Sequence, residues 1–312
     1  MLSINKGRKL IHYCYHHNDL DGRASGAVVA DYLYGEEHCQ IVLPESRERF
    51  FSKNLRCIEV DYNSEVSFEG ITPQDTVIIV DFTFSPEQFD LLLERTRKVV
   101  WIDHHKTFLA EKYDKYSGLK GIRNPSTSKE GFAGCVLTWQ YFNPNMNIPE
   151  ALELIGDRDT WQWKFGDKTK YFCLGMQIQK NLPLSPLWES LFGHDTTLVN
   201  TICEDGKICE SFRDSFCKNI TDSVGYETIL EGWHNCFAVN FAYFGSETFG
   251  ERIKDYDICI GYLYNGRNFK VSLYSKVVDV SEIAVTLGGG GHAGAAGFTC
   301  TALPFMPKGL PR

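Results

Sequence analysis

The 312-residue sequence contains 11 cysteines but no C-x-x-C pair. Zinc ribbons and disulfide frameworks need closely spaced pairs, so neither is indicated, and the scattered thiols read as small apolar residues or surface groups. No stretch approaches the roughly 20 apolar residues that a membrane-spanning helix requires. The first ten residues, with Lys6, Arg8 and Lys9 among them, lack the apolar core of a signal peptide. Basic residues do not dominate either: 32 Lys and Arg face 40 Asp and Glu, for a net charge of −8. That balance argues against nonspecific coating of nucleic acid, while leaving room for a local basic groove that holds a short oligonucleotide. There is no internal repeat and, one glycine loop apart, no low-complexity tract. The expected setting is a reducing cytoplasm, with no membrane partner.

What is present is a chain long enough for two domains, with 43% hydrophobic residues to fill their cores. A first strand is predicted over 11–15 and a helix over 24–33, stopped by Gly35. A second strand is predicted over 40–43 and a third over 76–81. A helix opened by Pro86 carries Phe89, Leu92 and Leu93 on one face, and a further strand runs over 99–103. Alternating strands and helices of this kind specify a doubly wound parallel sheet. Residues 107–128 read as a loop over the strand ends. Helices are expected over 132–142 and 149–155, and most of 185–230 is helical in pattern. Alternating strands return over 236–240, 258–262 and 269–274, followed by a short helix over 280–286. The expected class is therefore α/β: a parallel doubly wound N-terminal domain (1–184), a helical connector (185–234) and a smaller C-terminal α/β domain (235–312).

Polar residues gather where the first sheet's strands end, the place where open α/β sheets build their sites. His17, Asp19 and Asp21 are spaced H-x-D-x-D, which puts one imidazole and two carboxylates on one face of an extended segment, and Gly22 allows a sharp turn behind them. His16 is the alternative to His17, with the opposite parity to Asp19. Asp81 ends the third run, and Asp103, His104 and His105 end the fourth. Asp157, with Asp159 as its alternative, joins His17, Asp19, Asp21, Asp81 and His104 to make four carboxylates and two imidazoles. That much negative charge calls for cations. Two divalent ions bridged by a carboxylate would satisfy it and would suit hydrolysis of a phosphoester. The tandem glycines Gly288 to Gly291, followed by His292, form a second signal: such backbone exposes N–H groups to an anion, and a nearby helix N-terminus would add to the effect. No G-K-[ST] follows them, so a nucleotide-binding P-loop is excluded.

These motifs together resemble the DHH phosphoesterase superfamily with a C-terminal DHHA1 domain. The resemblance rests on His17-Asn18-Asp19-Leu20-Asp21-Gly22, Val80-Asp81, Asp103-His104-His105, Gly156-Asp157-Arg158-Asp159 and the glycine run through His292 to Gly297. Within the superfamily the chain is most similar to the small oligoribonuclease branch, the nano-RNases. The resemblance implies that His17, Asp19, Asp21, Asp81, His104 and Asp157 ligate two divalent ions, manganese foremost with magnesium and cobalt as alternatives, and that Asp81 is the bridge. Asp103 would orient His104, and His105 would face the scissile phosphate. Gly289, Gly290, Gly291 and His292 would hold substrate from the second domain. The implied activity is hydrolysis of short oligoribonucleotides from the 3′ end to nucleoside 5′-monophosphates by two-metal activation of water. A cyclic or linear dinucleotide phosphodiesterase, or a polyphosphatase, is the alternative on the same site. The partner would be short single-stranded RNA or a dinucleotide, and a homodimer is compatible with the sequence. Two positions depart from the pattern. Tyr15 stands where many relatives have a histidine, which leaves open whether His17 or a water completes the first metal site. Tyr274 stands near a phosphate-gripping arginine of others, leaving Arg158, Arg267 or Lys276 to replace it.

Overall fold

A computed structural model describes residues 10–37, 51–62, 65–124 and 131–308. The chain divides into two compact units, Met1–Lys207 and Ile208–Arg312. In the first, strands β1 (His12–His17), β2 (Leu55–Val60), β3 (Thr76–Val80) and β4 (Val99–Ile102) form a sheet in the order β2-β1-β3-β4. All three pairings are parallel, with His16 beside Val80 and Val80 beside Ile102. The carboxyl ends of β1, β3 and β4 therefore lie level, and His17, Asp81 and Asp103 emerge along one edge of the sheet.

Both faces of this sheet are buried, which is why its central strands read as continuous apolar runs. Tyr15, Val77, Ile79 and Trp101 point to one side, against Phe84 and against Phe89 and Leu92 of α2 (Pro86–Arg95). Cys14, Ile78, Val80 and Ile102 point to the other, against Val29 and Ala30 of α1 (Leu20–Glu37) and Leu137 of α3 (Gly134–Phe142). The start of α2 is set by its sequence: Ser85 accepts from the Gln88 amide, Gln88 reaches back to the Ser85 amide, and Pro86 occupies the first turn. Helices α4 (Glu150–Asp159), α5 (Asp167–Met176), α6 (Leu187–Phe192) and the start of α7 (Thr196–Val224) pack with α1 and α3 around Trp139, Leu152, Phe172 and Trp188.

The second unit holds a six-stranded mixed sheet in the order β5-β6-β7-β8-β10-β9. Its strands are β5 (Tyr226–Leu230), β6 (Trp233–Val239), β7 (Ile258–Tyr264), β8 (Phe269–Tyr274), β9 (Gly290–His292) and β10 (Ala295–Cys300), with α8 (Val280–Thr286) packed against it. The expected α/β class, with a parallel sheet first, a helical region and a C-terminal sheet domain, is what the structure contains.

Several elements differ from expectation. Gly35 does not stop α1, which runs to Glu37. The strand expected over 40–43 lies outside the described residues. The sheet's outer strand is β2, whose Arg56 and Glu59 hide its apolar pattern; as an edge strand it tolerates them, and Glu59 pairs with Arg23 at 2.8 Å. Residues 106–124 do not form a loop over the strand ends. They make two short 3-10 turns, bury Tyr113 and Tyr116 against Phe89, and bridge to β4 at Val100 and Asp103. Strand structure resumes at Tyr226, inside the stretch read as a helical connector.

At the opposite end of the sheet from the polar cluster, Asp75 joins β1 to β3. Its carboxylate accepts from the Ile11 amide at 3.0 Å and from the Thr72 amide and hydroxyl at 2.9 and 2.8 Å. Asp75→Ala should leave these half-buried donors without their buried acceptor and lower the unfolding free energy by about 1–3 kcal/mol. An unshifted urea midpoint would contradict that assignment.

Candidate metal centre

Asp81 leaves β3 in a left-handed conformation, φ 53°, which few residues other than glycine adopt. The turn drives its carboxylate into the protein, where it is 1% exposed. Gly134, the first residue of α3, makes this possible: a Cβ there would stand 2.6 Å from the Asp81 Cβ and 2.8 Å from Oδ1. Around Asp81 stand three imidazoles. His104 Nε2 is 3.1 Å and His105 Nδ1 3.9 Å from Oδ1, and His17 Nδ1 is 4.0 Å from Oδ2.

The neighbouring carboxylates are held by the chain itself. Asp19 accepts from the Gly22 amide at 2.8 Å, capping α1, and its other oxygen lies 2.7 Å from His17 Nδ1. Burial alone would raise its pKa, but these two contacts hold it below the usual carboxylate value. Asp21 accepts from the amides of Gly134 and Cys135 at 2.7 and 2.9 Å, so the N-terminus of α3 is aimed at it. Asp103 is fully buried. It accepts from the amides of His104 and His105, from His105 Nδ1 at 2.8 Å and from the Thr83 hydroxyl.

Ligand atoms lie within 4.8 Å of one another in three groups: His17, Asp19 and Asp81; Asp81, His104 and His105; and Asp21, His104 and Asp159. Two of these share Asp81 and two share His104. The structure thus brings together His17, Asp19, Asp21, Asp81 and His104 as the sequence suggested, and places His17, not His16, in the cluster. The His16 Nδ1 lies instead 2.9 Å from the His17 carbonyl, in a buried setting that lowers its pKa.

Two expectations are corrected. Asp157 is not in the cluster: it accepts from the amides of Lys164 and Phe165 and from the Thr169 hydroxyl, closing the loop after α4. Asp159 takes the place, its Oδ2 3.4 Å from His104 Nε2. Residues two apart on a helix point about 200° from each other, so the two acids cannot share the site. Helical phase separates the two acids: Asp159 falls three residues after Gly156, which packs on Ala133 and Val136 beside the start of α3. Asp103, for its part, orients His105 rather than His104. With Nδ1 engaged by Asp103, Nε2 is the ring nitrogen of His105 that remains for another partner. Sequence reasoning also missed Tyr62 and Phe82, whose rings stand 4.9 Å apart, Tyr62 lying 5.9 Å from the His17 ring and 6.4 Å from that of His105.

The cluster's electrostatics favour a cation. Both oxygens of Asp81 and Oδ2 of Asp159 are buried with no hydrogen-bond donor. Burial and the charges of Asp21, Asp19, Asp159 and Asp103 push the Asp81 pKa well above the carboxylate range. Burial, Asp21 and Asp19 raise Asp159 to about 8, against the opposing pull of His105 and Arg158. Burial lowers the pKa of His104 despite the acids around it, which keeps a lone pair available. His105 is held above its ordinary value: burial opposes its charge, but the Asp103 hydrogen bond and nearby carboxylates outweigh it. Buried carboxylate oxygens without donors, beside a neutral imidazole, fit a divalent metal ion.

In the second unit, the glycine run does not follow a helix N-terminus. It follows the C-terminus of α8, where the amides of Leu287, Gly288 and Gly289 bond back to carbonyls of that helix. Gly290, Gly291 and His292 then form the exposed edge strand β9 beside β10. An open groove of about 540 Å³ lies over this edge, lined by Lys270, Ser272, Tyr274, the glycines and Thr299.

Residues 11–155 match the model of the DHH family, N-terminal domain. Among individual proteins, the chain is similar to oligoribonuclease NrnB of Bacillus subtilis (strain 168), 25% identical over 93% of this chain and 73% of that protein. It is also similar to the uncharacterized protein R106 of Acanthamoeba polyphaga mimivirus, 24% identical over 78% of this chain but 58% of the viral protein. A solved DHH domain from a protein described as belonging to a family of ribosomal proteins shares the fold. It has a TM-score of 0.56 and 16% identity, covering 93% of this chain and 82% of its own.

The two acids of α4 are separable by experiment. Asp159→Asn should weaken Mn2+ binding in calorimetry by more than tenfold, since even a residue that only orients a ligand contributes about 10–100-fold. Asp157→Asn should lower the melting temperature while leaving the number of bound ions unchanged; the reverse pattern would restore Asp157 as ligand. Stability should depend on pH in a defined direction. Between about 4, the ordinary carboxylate value, and about 8, native Asp159 keeps a proton that the unfolded chain has released, so its contribution to metal-free stability falls as pH rises. Mn2+ displaces that proton, so its stabilising increment in thermal melting should grow across this window. An increment that shrinks toward pH 8 would contradict the assignment.

Proposed function

We propose that the protein is a metal-dependent phosphodiesterase that shortens oligoribonucleotides from the 3′ end, releasing nucleoside 5′-monophosphates. The observation that carries this reading is the Asp81 carboxylate, buried without hydrogen-bond donors and common to two groups of oxygen and nitrogen ligands. It is supported by the similarity to an oligoribonuclease along most of the chain. His17, Asp19 and Asp81 would hold one divalent ion, and Asp21, Asp81, His104 and Asp159 a second, with manganese the ion of choice. Ions so held supply the charge that activates water and offsets the negative charge growing on the phosphoryl oxygens.

The remaining tasks fall to the chain. The α3 amides fix Asp21 with its lone pairs directed, and Asp103 fixes the ring plane and tautomer of His105. His105 Nε2, on a ring whose affinity for a proton is raised, can donate to an oxygen of the substrate phosphate. Gly289, Gly290, Gly291 and His292 would receive the terminal nucleotide, since the glycine floor of their groove lets a sugar or base approach the backbone. A cytoplasmic setting accords with ten described cysteines that are all free thiols.

With Mn2+, a 5′-labelled five-nucleotide RNA should give a ladder of shorter labelled products, and Asp81→Ala should abolish it. An intact substrate in the presence of bound metal would refute the reading. Preferential turnover of a cyclic dinucleotide or of polyphosphate in the same assay would move the activity to that substrate.

A further inference from the structure

The loop that leaves α4 presents a tryptophan to solvent at evident conformational cost. Trp161 is 67% exposed, two residues beyond Asp159. Both Trp161 and Trp163 have left-handed backbone, φ 54° and 55°, which bulky residues seldom adopt. The strain is held by a dense set of hydrogen bonds. The Trp161 amide donates to the Arg158 carbonyl, the Gln162 amide to the Asp157 carbonyl, and the Gln162 side chain to the Gly131 carbonyl and the Thr160 hydroxyl. The Asp157 carboxylate closes the far side through Lys164 and Phe165. A surface loop fixed this firmly in an unfavourable conformation, with a large ring outward, is the pattern of a binding element rather than a connector.

Arg158 completes the element. Its guanidinium lies 4.5 Å from the centre of the Trp161 ring and 5.1 Å from that of Trp163, and the two indoles meet edge to face at 5.8 Å. Among the described residues no carboxylate is paired with it, so its N–H groups are available to an incoming anion. It is adjacent in sequence to Asp159, which stands at the metal centre. A cation stacked on an exposed indole is complementary to a nucleotide, with one charged and one flat part.

We propose that Arg158 and Trp161 form a nucleotide subsite next to the metal centre, the guanidinium taking a phosphate of the strand and the indole stacking on one of its bases. This rests on the reading of the centre as one that cleaves phosphodiesters in nucleic acid. Trp163 is the second face of the clamp that keeps Arg158 in place. The subsite makes the enzyme prefer substrates carrying a base over simple phosphodiesters.

The test compares, with Mn2+, kcat/KM for a five-nucleotide RNA with that for bis(p-nitrophenyl) phosphate, which has no base. In Trp161→Ala the ratio should fall about tenfold, within the range that loss of one stacked base produces, chiefly through KM for RNA. Trp161→Phe should recover most of it, and Arg158→Ala should raise KM for RNA as well. An unchanged ratio in Trp161→Ala, alongside turnover of both substrates by the wild type, would overturn the subsite and leave the phosphodiesterase reading intact. Binding is read separately from chemistry: with Ca2+ in place of Mn2+, the pentanucleotide should quench tryptophan emission saturably, and Trp161→Phe should remove that quench. A quench without any turnover would support the subsite while the catalytic reading fails. No quench that depends on Trp161 would overturn the subsite whatever the turnover.

Discussion

The Asp81 carboxylate sets the terms for the first unit. A carboxylate taken from water without donors is tolerated as the neutral acid or beside a cation, and four other aspartates press on the same space. The structure nevertheless commits several elements to keeping it there. β3 must end in a left-handed residue, α3 must begin with a glycine, and three imidazoles must converge from β1 and from the end of β4. None of these features contributes to packing in an obvious way. They make sense as preparation of a place where a multivalent cation is bound more favourably than a proton.

The other aspartates show how the chain distinguishes a structural acid from one left for a ligand. Asp103 has its oxygens engaged by two amides, an imidazole and a hydroxyl, and Asp157 by two amides and a hydroxyl. Asp19 and Asp21 are intermediate, each anchored by backbone amides while still lying against an imidazole. Asp81, and Oδ2 of Asp159, receive no donor. Among acids that are all buried to some degree, it is the supply of donors that separates those that fold loops and orient rings from those that face the centre.

That distinction explains what the sequence revealed and what it withheld. The runs ending in His17, Asp81 and Asp103 were legible because both faces of the sheet are covered along β1, β3 and β4, so these strands are largely apolar and a polar residue at their end stands out. The H-x-D-x-D spacing was legible because side chains alternate in extended backbone, and it points to His17, the imidazole that lies 2.7 Å from Asp19. Asp159 was not, because helix phase must be anchored to a packing partner, and Gly156 against α3 is visible only in three dimensions. The partner of Asp103 was missed for a similar reason: a side chain that turns back on the amides following it serves the nearer ring in space, not the nearer residue in sequence. β2 escaped notice because an edge strand can carry Arg56 and Glu59 without penalty, and β5 because it follows a long helix with little punctuation between them.

The end of α4 concentrates these relations in a few residues. Successive positions on a helix step round by about 100°, so three neighbours leave it in three directions. Asp157 turns back to secure the following loop, Arg158 faces the indoles of Trp161 and Trp163, and Asp159 enters the acid cluster. Asp157 is thus not an idle duplicate of Asp159. By fixing the amides of Lys164 and Phe165 it holds the loop in which both tryptophans adopt left-handed backbone, and that loop in turn braces the helix end that carries Asp159. A carboxylate of the acid cluster and an exposed aromatic side chain thus leave the same helix end, whose following loop is secured by one buried acid, Asp157.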